Sequence, residues 1–137
     1  MDRKPLELEV VSAERLVWSG EAVQVIARTI EGDIGILPGH EPVLALLVPS
    51  RVEIVTADGR QEALYVDGGY ISVAEGRVSI LAQEAYMGQE ISAADAQKEL
   101  DELMLKYNVG EADQDERHRV RMLRAQLAAA EKAQSSS

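Results

Sequence analysis

Residues 52–66 read VEIVTADGRQEALYV, and this stretch decides the fold. Val52 and Ile54 alternate with other residues before the Asp58-Gly59 pair, and Leu64 and Val66 do so after it. Alternation with a period of two is typical of strands that bury one face. An Asp-Gly pair between two such runs predicts a hairpin turn, because glycine accepts a positive φ angle.

The same pattern extends on both sides of this hairpin. Leu6, Leu8 and Val10 alternate with glutamates, and Val23, Val25 and Ala27 alternate with Gln24 and Arg28. A second tight turn is predicted at Glu75-Gly76. Many short strands with no long helical pattern between them are typical of an antiparallel sandwich or barrel. The first part of the chain is therefore predicted to be an all-β sandwich or barrel of roughly eight to ten strands.

Beyond Glu90 the apolar residues recur at helical intervals. Ser92 precedes Asp95, and Asp113 precedes Glu116, by the three residues of a capping box, and Asn108-Val109-Gly110 supplies a stop between the two helices. Each helix carries one apolar stripe, Ala96/Leu100/Leu103/Tyr107 in the first and Val120/Leu123/Leu127/Ala130 in the second. The pattern predicts an antiparallel two-helix hairpin that gains its stability from a partner surface.

These patterns divide the chain into a β-sandwich domain at 1–88 and a helical hairpin at 89–137, with a frayed tail over Gln134–Ser137. The chain has 137 residues, 46% of them hydrophobic and 28% charged, which is a globular composition. It contains no cysteine, so disulfides and thiolate sites are excluded. Residues 1–5 lead into alternating Leu and Glu, and no apolar run approaches the roughly 20 residues of a membrane span, so we expect neither export nor a span.

The net charge of -10 makes nucleic-acid binding improbable, because such a chain repels phosphate backbones. No nucleophile elbow, phosphate loop or His-Glu-x-x-His helix is present. His40 and His118 are the only histidines, and nothing in the pattern brings them together. We therefore predict no catalytic residue, no metal site and no cofactor.

Residues 31–42 read EGDIGILPGHEP, the most unusual segment of the chain. Its glycines and prolines predict a rigid, sharply turned excursion between strands, pinned to the core by Ile34, Ile36 and Leu37. A packed turn accounts for the glycines. It does not account for the charged side chains Glu31, Asp33, His40 and Glu41, which suit a docking surface for a basic partner.

Residues 117–124 read RHRVRMLR and carry four arginines without an acid. Arg117, Arg121 and Arg124 are spaced by four and three residues, so they form one stripe on a helix. Two interpretations stay open. The stripe is either a solvated face that pairs with Glu116 or with acids of the first helix, or a cationic face for an acidic partner or an anionic nucleotide.

Three landmarks in order resemble one family, the epsilon subunits of bacterial and plastid F-type ATP synthases, called delta in mitochondria. The segment 32–40, GDIGILPGH, is similar to that family's most distinctive stretch, and residues 66–73, VDGGYISV, resemble its Ser-Gly-Gly-Phe-x-Glu-Val strand. Residues 78–82 followed by a helical hairpin complete the order. The resemblance spans nearly the whole chain.

The resemblance implies a non-catalytic subunit of the central stalk, or rotor, that couples proton-driven rotation of the c-ring to ATP synthesis. Its implied partners are the gamma subunit, the c-ring through Glu31, Asp33 and His40, and, conditionally, the beta subunit. The resemblance also implies that the hairpin can lie folded on the sandwich or extend toward the beta subunit, where it hinders ATP hydrolysis. The stripe Arg117, Arg121 and Arg124 suits the acidic target there. The implied location is the cytoplasmic face of the bacterial cell membrane, peripheral through the complex.

One departure from the family concerns ATP. Members that bind ATP between the helices open the first helix with Ile/Leu-Asp-x-x-Arg-Ala, whereas residues 91–96 here read ISAADA, with Asp95 in place of the arginine. A carboxylate near a triphosphate is repulsive, so we expect little ATP binding. Asp95 therefore disfavours one alternative function, an ATP sensor built on the hairpin. The other alternative, a small β-barrel enzyme, is disfavoured because the catalytic constellation is missing.

Overall fold

Nine strands fill the first two thirds of the chain, and two helices follow them in a computed structural model that describes residues 3–135. The strands are β1 Leu6–Val11, β2 Leu16–Thr29, β3 Gly32–Ile36, β4 Val43–Leu46, β5 Ser50–Thr56, β6 Gln61–Val66, β7 Tyr70–Ala74, β8 Arg77–Leu81 and β9 Ala85–Met87. A 3-10 turn, Gly88–Glu90, leads to helices α1 Ala93–Asn108 and α2 Gln114–Ser135.

The long strand β2 joins the two layers of the sandwich. Its first half pairs antiparallel with β1, and its second half pairs with β5 and β3, so one continuous backbone enters both layers. The strands follow the order β4-β7-β8-β1-β2-β5-β6-β9, with β3 attached to β2, and β1 and β8 are parallel. The inward residues form one apolar core between the layers, which confirms the predicted β-sandwich and strand number.

Both predicted hairpin turns are confirmed. Gly59 has φ +89° in the connection from β5 to β6, and Asp58 precedes it as predicted. Glu75 and Gly76 both have positive φ, 52° and 79°, between β7 and β8. Two consecutive positive φ angles match the right-handed twist of the flanking strands.

The helix signals are confirmed as well. The Ser92 hydroxyl accepts a hydrogen bond from Asp95 N at 3.2 Å, so it caps α1. Asp113 and Glu116 form a reciprocal pair at the start of α2, with Asp113 N donating to Glu116 Oε1 at 3.1 Å and Glu116 N donating to Asp113 Oδ1 at 2.8 Å. These bonds satisfy backbone donors that have no partner inside the helix.

Helix α2 packs on two partners at once. One face meets α1 through a small apolar cluster that contains Leu100, Val120 and Leu123. Another face packs on the outer side of β6, where Tyr65 is completely buried beneath Ala125 and Ala129. The second contact explains why residues 63–66 are all buried, since β6 is covered by the core on one side and by α2 on the other.

Two predictions concern the domain boundary and the C-terminal end of the second helix. The predicted domain division between residues 88 and 89 falls inside the 3-10 turn, and it stays a prediction. The predicted frayed tail over Gln134–Ser137 stays a prediction as well; α2 extends through Ser135, whose hydroxyl donates to Lys132 O at 3.0 Å. The rest of that tail, and Met1 and Asp2 at the other terminus, lie outside the described residues.

Gly88 sets how closely α2 approaches the sandwich. A Cβ atom at this position would clash with the Ala129 carbonyl oxygen and would lie 2.7 Å from Ala133 Cβ. Only a residue without a side chain therefore lets the two backbones come this close.

We expect Gly88→Ala to lower the free energy of unfolding by about 1–3 kcal/mol, because the added methyl group pushes α2 away from β6. Urea unfolding followed by circular dichroism measures this change. Gly35→Ala is the matched control, because a Cβ at Gly35 meets nothing within 4 Å. Equal stability of the two variants would contradict the expectation.

Candidate interaction surfaces

The unusual segment 31–42 is a strand followed by a turn, not one continuous excursion. Residues 32–36 form β3, because their backbone pairs with the end of β2 from Val25↔Ile36 to Thr29↔Gly32. Ile36 is buried and Ile34 half-buried as predicted, but Leu37 is 55% exposed, so its predicted role in the core is wrong. The turn follows, with His40 N donating to Leu37 O at 3.0 Å.

The three charged residues proposed from this segment differ in their surroundings. Asp33 is held by Arg28, whose Nε donates to Asp33 Oδ1 at 2.7 Å, and this bond lowers the pKa of the carboxyl. His40 Nδ1 lies 2.7 Å from Glu41 O. Glu31 is exposed and forms no ion pair within residues 3–135. Negative charge is therefore uncompensated at Glu31 and compensated at Asp33.

An apolar surface lies next to these charges, and sequence reasoning missed it. Four large side chains that are 41–72% exposed meet at the edge of the sheet; we call them the β4 patch: Ile30, Leu44, Leu46 and Tyr70. Leu46 pairs with Tyr70 across β4 and β7, and Ile30 N donates to Leu46 O at 3.0 Å. Residues 43–47 are apolar without exception, so both faces of an edge strand are apolar, and this signal could have revealed the patch.

The arginine stripe of α2 makes contacts other than ion pairs among residues 3–135. Arg117 Nη1 donates to Ala112 O at 2.8 Å, Arg121 approaches His118 Nδ1 at 3.4 Å, and the Arg124 guanidinium lies 5.8 Å from the centre of the Tyr107 ring. None of the three makes an ion pair within the described part of the chain.

The acids expected to neutralise this stripe are bound elsewhere. Glu116 pairs with Lys106 at 3.0 Å, and Glu99 pairs with Arg119 through bonds of 2.6 and 2.9 Å. The hydrogen bond from Arg119 lowers the pKa of Glu99. Both pairs join α1 to α2 and leave the stripe available to another group.

The region around Asp95 is acidic. A hollow of about 230 Å³ there is lined by Asp95, Glu90, Glu99 and a single arginine, Arg119. Glu90 and Glu99 already bind arginines, at 2.8 and 2.6 Å respectively. This arrangement agrees with weak ATP binding, which stays a prediction.

Residues 3–135 show neither a metal-binding cluster nor a membrane-crossing helix. No group of three or more His, Cys, Asp or Glu side chains there could hold a metal ion. Neither helix combines the length and the apolar character that a membrane crossing requires.

Comparison with known proteins identifies the family. The sequence profile described as "ATP synthase, Delta/Epsilon chain, beta-sandwich domain" matches residues 5–88. The ATP synthase epsilon chain of Cutibacterium acnes is 46% identical over 138 residues, which cover 95% of this chain and 94% of that protein. This chain belongs to the ATP synthase epsilon chain family. The epsilon chain of Streptomyces avermitilis is 44% identical over 117 residues, covering 85% of this chain and 92% of its own length.

A solved structure has the same fold as this epsilon chain. It is a chain in the Euglena gracilis mitochondrial ATP synthase, OSCP/F1/c-ring, with TM-score 0.81 and 23% identity, covering 95% of this chain and 84% of that chain. A chain of the Tetrahymena thermophila central stalk/c-ring structure has TM-score 0.52 and 15% identity, covering 66% and 72%. Membership of the family makes the chain an accessory subunit in ATP synthesis and not a separate enzyme.

Proposed function

We propose that this epsilon chain works in the central stalk, docked on the gamma subunit and resting on the c-ring, so that rotation of the ring reaches the catalytic subunits. Two solved structures with the same fold are of assemblies that include a c-ring, and one of these is a central stalk with its c-ring. The chain would then lie at the cytoplasmic face of the bacterial membrane, peripheral through the complex.

The β4 patch is the observation that carries this proposal. Its four large apolar side chains lie together at one sheet edge and are 41–72% exposed. Exposed apolar clusters of this kind, bordered by charge, mark protein-protein contacts. We assign the patch to the gamma subunit, because a torque-bearing contact needs a tightly packed apolar centre.

We expect Leu46→Asp to weaken binding to purified gamma subunit at least tenfold, which is about 1.4 kcal/mol, because it places a charge in the centre of the patch. Surface-immobilised gamma subunit and the full epsilon chain serve for the measurement. Leu105→Asp is the control, since Leu105 is 74% exposed on α1, away from the patch. If Leu46→Asp binds like the wild type, the patch is not the gamma contact.

The c-ring contact is assigned to Glu31, Asp33 and His40, next to the patch. The carboxylates of Glu31 and Asp33 suit the arginine-bearing polar loops that the family contacts on the ring. Because Arg28 compensates Asp33, we propose that Glu31 provides most of the attraction and that Asp33 and Arg28 hold the shape of β3.

Asp33→Arg should lower the coupling of proton flow to ATP synthesis, because the new cation faces Arg28 and repels the ring. We expect Glu31→Arg to have an effect at least as large. Proton-driven ATP synthesis by the assembled enzyme in reconstituted vesicles reports on coupling. Glu102→Arg, an exposed position on α1, should leave the rate unchanged, and unchanged coupling in both test variants would remove the assignment.

The third contact is conditional. We propose that residues 89–137 form a part separable from the sandwich of residues 1–88, and that Arg117, Arg121 and Arg124 meet an acidic surface of the beta subunit when the hairpin extends. The absence of acidic partners for these arginines within residues 3–135 supports the proposal.

Changing Arg117, Arg121 and Arg124 together to glutamine should raise ATP hydrolysis by the assembled enzyme, because an inhibitory contact is lost. Deleting residues 91–137 should raise it to the same level and leave the subunit assembled. Lys98→Gln on α1 is the matched control. Hydrolysis that rises after the deletion but not in the triple variant would place the inhibitory contact elsewhere on the hairpin.

A further inference from the structure

A cleft of about 830 Å³ separates α2 from the adjoining edge of the sandwich. Arginines enter it from both sides. Arg28 of β2 and Arg51 of β5 come from the sandwich, and Arg121 and Arg124 come from α2. The cleft is thus a cationic site in a protein whose net charge is -10.

The carboxylates of the cleft are already engaged. Asp33 accepts from Arg28 at 2.7 Å, Glu53 contacts Arg51 at 3.4 Å and Lys132 at 3.5 Å, and Asp67 accepts a backbone N–H at 3.0 Å. The cleft therefore has four guanidinium groups against three carboxylates, each of which has a donor of its own.

Arg121 and Arg124 contribute charge that no carboxylate within residues 3–135 neutralises. Within residues 3–135 their side chains make weak contacts, Arg121 with an imidazole nitrogen at 3.4 Å, and Arg124 with the Met104 sulfur at 3.6 Å and the Tyr107 ring. Guanidinium groups bind phosphate oxygens through two parallel hydrogen bonds, so an anion would replace weak contacts by strong ones.

The rest of the lining limits the shape of the ligand. Apart from His118 it is aliphatic or small, including Val48, Pro49, Ala125 and Ala128, and contains no Phe, Tyr or Trp side chain. A nucleobase is usually bound by stacking on an aromatic ring. Among the lining residues only His118 carries such a ring, and its Nδ1 already lies 3.4 Å from Arg121. A compact anion fits the lining better than a nucleotide does.

We propose that this cleft binds a compact phosphate-class oxyanion, such as inorganic phosphate, pyrophosphate or tripolyphosphate, between Arg121 and Arg124 of α2 and Arg28 and Arg51 of the sandwich. Arg51 already bridges the two parts, since its Nη1 donates to Ala128 O at 3.2 Å. An anion bound beside this bridge strengthens the packing of α2 on the sandwich. The site lies apart from the acidic hollow around Asp95 and does not depend on the proposed role in the central stalk.

The test uses the full chain with sodium pyrophosphate and sodium tripolyphosphate, at ionic strength held constant with chloride. Titration calorimetry should give saturable binding at one site, and the thermal unfolding midpoint should rise with either anion. Amide resonances of Ala125 and Ala128 should shift, and those around Ser92 and Asp95 should not. Absence of saturable binding overturns the proposal.

Variants locate the site. Arg121→Gln combined with Arg124→Gln should weaken pyrophosphate binding at least tenfold, whereas Arg60→Gln, in the turn between β5 and β6, should bind like the wild type. The circular dichroism spectrum without anion shows whether the double variant is folded. Arg121→Lys keeps the charge but loses the two parallel N–H donors of the guanidinium group, so it should bind pyrophosphate with intermediate affinity. Equal loss in Arg60→Gln would show general charge attraction and not a site.

A comparison of ATP with tripolyphosphate distinguishes an oxyanion site from a nucleotide site. ATP should bind no more tightly than tripolyphosphate, because the base gains no contact in the cleft. Binding of ATP at least tenfold tighter than that of tripolyphosphate would overturn the assignment to a compact oxyanion.

Discussion

The contact of α2 with the outer face of β6 determines how the rest of the molecule is arranged. Tyr65 has no exposed surface because Ala125 and Ala129 cover it, and its ring is stacked on Tyr86 with 6.1 Å between centroids. Small residues on α2 and a glycine at Gly88 allow this close approach. The same contact turns Arg121 and Arg124 toward the cleft, so the electrostatics of the hairpin follow from its packing. Burial beneath α2 raises the pKa of the Tyr65 phenol, because the charged form would lose its contact with water.

Local rules predicted most of the fold from the sequence. The Asp58-Gly59 and Glu75-Gly76 turns and the caps at Ser92 and Asp113 depend on a few neighbouring residues and on steric limits of the backbone, so they could be recognised without knowledge of the tertiary structure. The packing of α2 on β6 could not be predicted in this way, because it joins residues about 60 positions apart in the sequence. The prediction that Leu37 packs in the core was wrong for a related reason. An apolar side chain next to a turn can point inward or outward, and only the path of the chain decides which.

The candidate surfaces were predictable only in part. The sequence pointed to Glu31, Asp33 and His40 as a charged group and to Arg117, Arg121 and Arg124 as a stripe, but it could not show which charges are already compensated. Arg28 lies on β2 and reaches Asp33 only because β2 and β3 pair in the register Arg28↔Asp33. The apolar run of residues 43–47 indicates two apolar faces but does not show which face is left uncovered, and in the structure Leu44 and Leu46 lie on the exposed one.

The continuity of β2 has a mechanical consequence. When the two layers of a sandwich are joined only by loops, the layers can slide past each other, because loops bend easily under load. Here a strand of 14 residues belongs to both layers, so a sideways push on one layer reaches the other along covalent bonds and the hydrogen bonds beside them. The pairing continues on both sides of the register shift between Ala22 and Gln24, so we expect the body of the protein to act as a stiff spacer between the surfaces that it separates.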